Sequence, residues 1–206
     1  MREFLLPALR VSLVTWVLCG LVYPLAVTGL GQALLPFQAN GSLEKQPDGT
    51  VVGSRLVGQQ WDGPQWFHSR PSAIVVTDPS DPARSVSAPY NATNSGGSNL
   101  APDSKVLSER LVADRKVLEL TQPEVTGMML PADMLTTSAS GLDPDISPAN
   151  ALLQASRIAR ARGVAVEAIE DLVRRHIEMP SLGVFGEPRV NVLRLNLALQ
   201  RTYPGR

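Results

Sequence analysis

From Val11 to Leu35 the sequence VSLVTWVLCGLVYPLAVTGLGQALL carries no charged side chain, and none follows until Glu44. At about 1.5 Å per residue, these 25 residues make roughly 37 Å of helix, enough to cross the hydrocarbon core of a bilayer. Pro24 and the glycines at 20, 29 and 31 are compatible with a membrane helix. A cleavable signal has an apolar core of only about 7–15 residues, and Gly31-Gln32-Ala33 is a weak cleavage site. Leu18 stands before Cys19 where a lipoprotein signal wants a small residue. A buried core helix would show polar periodicity. The run therefore reads as an uncleaved anchor bounded by Val11 and Leu35, with Trp16 and Tyr23 inside it rather than at its edges. Arg2 and Arg10 precede it, whereas Glu44, Lys45 and Asp48 follow, so the positive-inside rule puts the N-terminus in the cytoplasm. Residues 1–36 then form the cytoplasmic end and membrane helix, and residues 37–206 an extracytoplasmic domain. That outer part keeps 17 of the 19 basic and 18 of the 19 acidic residues. Such a balance excludes a polybasic membrane binder and argues against a nucleic-acid binder.

The outer part reads as α+β, a single mixed α/β domain. Residues 36–101 are rich in Gly, Pro, Ser, Asn and Asp, with short strands expected within Val51–Trp61. Five of the ten aromatics, Phe37, Trp61, Trp66, Phe67 and Tyr90, are expected to pack a small core under long loops. Thr77–Pro82 reads as turns. Helices are expected from Pro102-Asp103-Ser104 to about Leu120, briefly over Pro131–Thr137, and from Pro148 to Ala161 with a stop at Gly163. Another is expected over Ala165–Glu178, with Val166, Ile169, Val173 and Ile177 on one stripe. The tail Pro188–Leu199 fits a strand by alternation and a helix by its leucine spacing, and the reading favours helix. No internal repeat is visible.

No complete catalytic constellation emerges. His68 and His176 lie far apart, Cys19 is alone, and HExxH is absent, so a zinc site has no support. His176 reads as structural. His68 and Arg70, inside Trp66–Ser72, read as residues that pin a loop to backbone carbonyls. There is no GxSxG elbow, and Ser42–Lys45 matches SxxK without that motif's partners. Asp143 and Asp145 are spaced to attract a cation or to share acid–base work, but an Asx-type turn before a Ser147 cap explains them better. Arg157, Arg160, Arg162, Arg174 and Arg175 read as the solvated face of a helical hairpin. The glycine pair in Asn94-Ser95-Gly96-Gly97-Ser98-Asn99 could cradle an anion, yet the loop lacks the lysine and spacing of a P-loop. It reads as a structural or partner-contacting turn.

Several blocks together carry a likeness: the single N-terminal membrane helix, GSRLVGQ at 53–59, WFHSRPSA at 66–73, SGGSNLAP at 95–102, SGLDPDISPA at 140–149 and LGVFGEPRVNVLRLNLAL at 182–199. In order and spacing they resemble the C subunit of the bacterial Kdp-type potassium-transporting P-type ATPase, with Trp66, Ala101 and Asp145 departing from residues common in that family. The resemblance implies a non-catalytic accessory subunit of the inner membrane. It would support assembly and raise the ATP affinity of the catalytic P-type ATPase subunit. Its implied partners are that subunit, a channel-like potassium-translocating subunit and a small single-helix subunit. ATP and potassium then act at the level of the complex, and no metal or cofactor is expected on this chain. An outer domain cannot meet cytosolic ATP, so an indirect effect, or a cap over the external potassium entrance, follows. The expected partner-contact positions are His68, Arg70, Ser95, Gly96, Gly97, Ser98, Asn99, Asp143 and Asp145. Rival readings are an anchored hydrolase using His68 with Asp143 or Asp145, and a solute-binding module.

Overall fold

The computed structural model describes residues 2–46 and 48–205. The chain falls into two compact units, Met1–Val52 and Gly53–Arg206. In the first, the membrane-length helix runs from Glu3 to Leu34 and its side chains are not buried. It comprises α1 (Arg2–Val17), a π-helical turn (Leu18–Val22) and α2 (Tyr23–Leu34). The π turn has a local cause. Pro24 donates no backbone hydrogen bond and its ring crowds the carbonyl four residues back, so the backbone widens ahead of it and Tyr23 N–H donates to Leu18 O instead. Leu35 leaves helical geometry and caps the helix, and a short α3 (Pro36–Ala39) follows. There the Asn40 side chain ties back to Pro36 O at 2.6 Å and to Gln32 Oε1 at 3.0 Å. Strands β1 (Leu43–Lys45) and β2 (Val51–Ser54) form a two-stranded ribbon, as expected for short strands near Val51. Phe37, expected in a core, is instead exposed on α3.

In the second unit, β3 (Val75–Asp78) and β4 (Asp81–Ser87) pair antiparallel, Val76 opposite Val86. The segment Thr77–Pro82 is thus not simply turns. Its ends belong to a hairpin, and only Pro79 and Ser80 lie outside the strands. Asp78 Oδ1 accepts from Ser80 N–H, which makes the tight reversal. Helix α4 (Lys105–Thr121) is capped by Ser104, whose hydroxyl accepts from Leu107 N–H, and it buries none of its residues. The short helix expected at Pro131–Thr137 shrinks to one 3₁₀ turn, Ala132–Met134.

The core lies C-terminal to this. Strand β5 (Asp145–Ile146) precedes α5 (Pro148–Arg162), which starts at a Ser147 cap and ends at Gly163 in left-handed geometry, φ 67°. The cap and stop residues are those the sequence supplies for these roles. Helix α6 (Val166–Arg175) stops earlier than expected, because His176 caps it through an Nδ1–H bond to Leu172 O at 2.8 Å. Ile177 therefore leaves the helical stripe and joins β6 (Ile177–Glu178). The tail divides. Arg189–Asn191 is β7, the central strand of a β5-β7-β6 sheet, and α7 (Val192–Thr202) starts directly after it. Asn191 makes this switch, its side chain accepting from Arg194 N–H as the helix cap. Helix α7 then buries Val192, Leu195, Asn196 and Leu199, the i, i+3, i+4, i+7 set. Ala151, Ala155, Ile158 and Ala159 of α5 meet Ile169 and Val173 of α6, Val190 of β7 and Leu195 of α7 around Phe67. Small alanines on α5 let the neighbouring elements approach closely.

Candidate functional site

Five of the nine candidate positions, Arg70 and Ser95 to Ser98, meet the segment 136–145, which itself holds Asp143 and Asp145. Arg70 Nη1 pairs with Asp143 Oδ2 at 3.0 Å, and its Nη2 donates to Thr137 O at 3.3 Å. Gly96 N–H and the Ser95 hydroxyl both donate to Ser140 O, at 2.9 and 3.1 Å. The Thr137 hydroxyl reaches Ser98 Oγ at 3.4 Å. A Cβ on Gly97 would stand 2.8 Å from Ala139 O, so here glycine serves close backbone approach. The left-handed backbone geometry in this loop falls on Asn99, φ 51°, and not on either glycine. Across the contact Gly141, φ 71°, would press a Cβ to 2.8 Å from Gly96 O and hard against Ile74 Cγ1. Of the glycine pair, the Gly96 backbone N–H is spent on Ser140 O rather than on an anion.

Tyr90 closes this cluster. Its hydroxyl donates to Arg70 O at 2.6 Å, and burial pushes its pKa up to about 12. Asp143 Oδ1 accepts from Asp145 N–H at 3.1 Å, the Asx turn expected ahead of α5. Asp145 itself faces β7, taking Asn191 Nδ2 at 3.0 Å and Arg189 at 3.1 Å. Burial raises its pKa, against the opposing pull of Asn191 and Arg189. Both carboxylates are thus held by an arginine, which suits anchoring better than proton transfer.

His68 belongs to a different network. Its Nε2–H donates to Gly63 O at 2.8 Å, while its backbone N–H and carbonyl grip Gln154 at 2.7 and 3.0 Å. The loop-pinning role expected of His68 and Arg70 matches these bonds to Gly63 O and Thr137 O. Burial, then the nearby Arg157 charge, lower the His68 pKa. No hydrogen bond or ion pair joins His68 to Asp143 or Asp145 among the described residues, so the hydrolase dyad is not assembled. Nor, among those residues, do three His, Cys, Asp or Glu side chains converge as metal ligands would.

Arg157 and Arg162 overturn the reading of a solvated arginine face: they are 4% and 8% exposed. Arg157 donates to Pro64 O, Gln154 Oε1 and Gln122 Oε1, and burial depresses its pKa to about 10. Arg162 donates to Gln65 O and Tyr203 O and lies 4.7 Å over the Trp66 ring. From α5 these two side chains fasten the loop 63–66 onto the core. Beside Arg157 opens a cleft of about 660 Å³, walled by α4 through Val117, Leu118 and Thr121.

With this geometry in place, comparison with known proteins is decisive. The family model KdpC, described as K+-transporting ATPase, c chain, matches residues 5–201. The chain belongs to the KdpC family. Similar curated proteins are named potassium-transporting ATPase KdpC subunit. One from Rhodopseudomonas palustris is 54% identical over 198 residues, covering 96% of both chains. One from Bradyrhizobium diazoefficiens is 51% identical over 195 residues, covering 95% of each. A third, from Methylobacterium nodulans, is 51% identical over 199 residues, covering 97% of each. The chain is thus a KdpC-family subunit related to potassium-transporting ATPases, with one membrane-length N-terminal helix before an α/β domain.

The sequence reading missed two features of this KdpC-family chain. The cleft is one, because its polar floor is gathered from residues 63–71 and 114–157 with no motif. The other is a tip at Ser181–Phe185, closed by a Ser181–Phe185 bridge, with Leu182 90% and Phe185 66% exposed. Alternating apolar letters cannot distinguish this exposed tip from a buried strand.

Proposed function

We propose that this chain is a non-catalytic accessory subunit of an ATP-driven, high-affinity potassium uptake complex. It supports assembly and raises the ATP affinity of the catalytic P-type ATPase subunit. Its partners are that subunit, a channel-like potassium-translocating subunit and a small single-helix subunit. The observation that carries the reading is the full-length family match, which takes in the membrane helix and the α/β domain together. The domain following the helix, residues 37–206, lies outside the cytoplasmic membrane in this reading. Its influence on ATP use is then indirect, through the shape of the assembled complex, or as a cap over the external potassium entrance. The candidate loops act as rigid contact surfaces, held in shape by the bonds of Arg70, Ser95, Gly96 and Asp143 within the chain. Exposed Leu182, Val184 and Phe185 add an apolar surface of the kind subunits cover.

Affinity purification of the tagged full chain from membranes, in mild detergent, tests this. A large multi-span protein and a P-type ATPase should co-elute, and potassium-stimulated ATPase activity should require the chain. Elution of the chain alone from membranes that contain those subunits would overturn the reading.

A further inference from the structure

The floor of the cleft beside Arg157 keeps hydrogen-bond donors that the chain itself does not use. Arg157 carries five N–H groups. Four are directed to protein oxygens: Nε to Gln122 Oε1, Nη1 to Pro64 O and Gly63 O, and Nη2 to Gln154 Oε1. One Nη2 hydrogen remains. Gln122 Nε2 spends one hydrogen on Leu153 O, and Asn150 Nδ2 spends one on Asp133 Oδ2. Each amide keeps a second. Their oxygens are already taken, that of Gln122 by Arg157 and that of Asn150 by Gln154 Nε2. Both hydrogens of Gln154 Nε2 are used, on His68 O and Asn150 Oδ1. His68 Nδ1 is a free acceptor at the same floor, since Nε2 is the donor to Gly63 O.

Charge points the same way. Among the described residues Arg157 enters no ion pair. Glu124 acts on Arg157 only through space, its Oε1 being paired with Arg160, while Asp114 pairs with Arg110 and Asp133 bonds to Ser147 and Asn150. A buried guanidinium without a carboxylate is costly, and an anion at its free N–H offsets that cost. The remaining wall is mainly apolar, from Val117, Leu118, Pro71 and Met134, with Asp114, Ser69 and Thr121 as its polar members. The volume of about 660 Å³ falls in the range of small-molecule sites.

We propose that this cleft binds a small organic acid, a single carboxylate on an apolar body, with the carboxylate on Arg157, Gln122 and Asn150 and the body against α4. One positive charge matches a carboxylate better than a phosphate monoester, which brings close to two negative charges. Because α4 buries none of its residues, it can adjust to the body of the ligand.

Calorimetric titration of the full chain in lipid nanodiscs with phenylbutyrate, against empty nanodiscs, tests the site. Phenylbutyrate should bind saturably, and its neutral amide, phenylbutanamide, about tenfold or more weaker, as expected when a charge-assisted bond is lost. Arg157→Gln should weaken phenylbutyrate by a similar factor. Arg157 also holds the loop at Gly63 and Pro64, so a second variant guards against misfolding. Thr121→Trp fills the cleft from α4, where the hydroxyl bonds only to its own helix, at Val117 O and Leu118 O. It should abolish binding with the melting temperature unchanged. Absence of saturable binding, equal binding of acid and amide, or full binding in Thr121→Trp would each overturn the proposal.

Discussion

Gly97 makes a prediction that separates shape from ligand binding. Its φ is ordinary, so the strain of Gly97→Ala comes only from a Cβ 2.8 Å from Ala139 O. Overpacking of this kind costs about 1–3 kcal/mol. Gly141→Ala adds left-handed strain to two close contacts and should cost more. Chemical denaturation of the full chain should rank the two in that order, and both variants should lower co-purification with the ATPase subunits. Labelled ATP titrated into the chain alone should show no saturable binding with or without Gly97→Ala, and binding lost in the variant would refute the shape argument. His68 makes a second prediction. Its native pKa lies below its ordinary value, so the unfolded chain takes up a proton that the folded chain resists. Stability should therefore fall as pH drops through about 6.5, and His68→Gln should flatten that fall. Asp145 works in the opposite sense at lower pH. Its raised native pKa means that protonation in the carboxylate range favours the folded state. Melting temperatures from pH 7.5 to 5 isolate the histidine.

Among elements, α5 leans on its N-cap residue, Ser147. Ser147 Oγ accepts from Asn150 N–H at 3.1 Å and donates to Asp133 at 2.9 Å, which also links the helix to the 3₁₀ turn. Ser147→Ala should cost about 1–2 kcal/mol, and Ser147→Asp, which restores the cap acceptor but brings a charge to Asp133, should recover only part of it. A denaturation midpoint unchanged in Ser147→Ala would show the cap to be dispensable. Local signals of this kind made α5 and α4 readable: serine caps, Pro148 at the first turn, and Gly163 at the stop. Where neighbours decide, the same rules fell short. Helix α6, capped by His176, is not resumed at Ile177 because residues 177–178 pair with β7, eleven and thirteen residues on, a partner that no window over the helix contains. The tail becomes strand then helix because β5 needs a neighbour at 189–191, while Asn191 caps α7 immediately after it.

For the molecule as a whole, the anchor fixes what the rest can do. A reporter that works only outside the cytoplasm, fused after Arg206, should be active if Arg2 and Arg10 hold the N-terminus inside. An inactive reporter on well-expressed protein would reverse the orientation and reopen direct ATP contact. The membrane-length helix buries none of its described side chains. The α5–α6–α7 body buries its own apolar set around Phe67.

The sequence by itself determined the membrane-length helix, the α+β class, the capped helices and the family, because these depend on residue types at fixed short spacings. It also placed Arg70, Ser95–Asn99 and Asp143 in loops of interest. Only the tertiary structure decided that Gly97 faces Ala139, that Asp143 and Asp145 serve different arginines, and that Arg157 and Arg162 turn inward. An arginine on an amphipathic helix looks solvated until the loop carbonyls that receive it are known, and those lie more than ninety residues earlier in the chain. The cleft beside Arg157 has the same origin: its donors come from separate elements and meet only once the fold has formed.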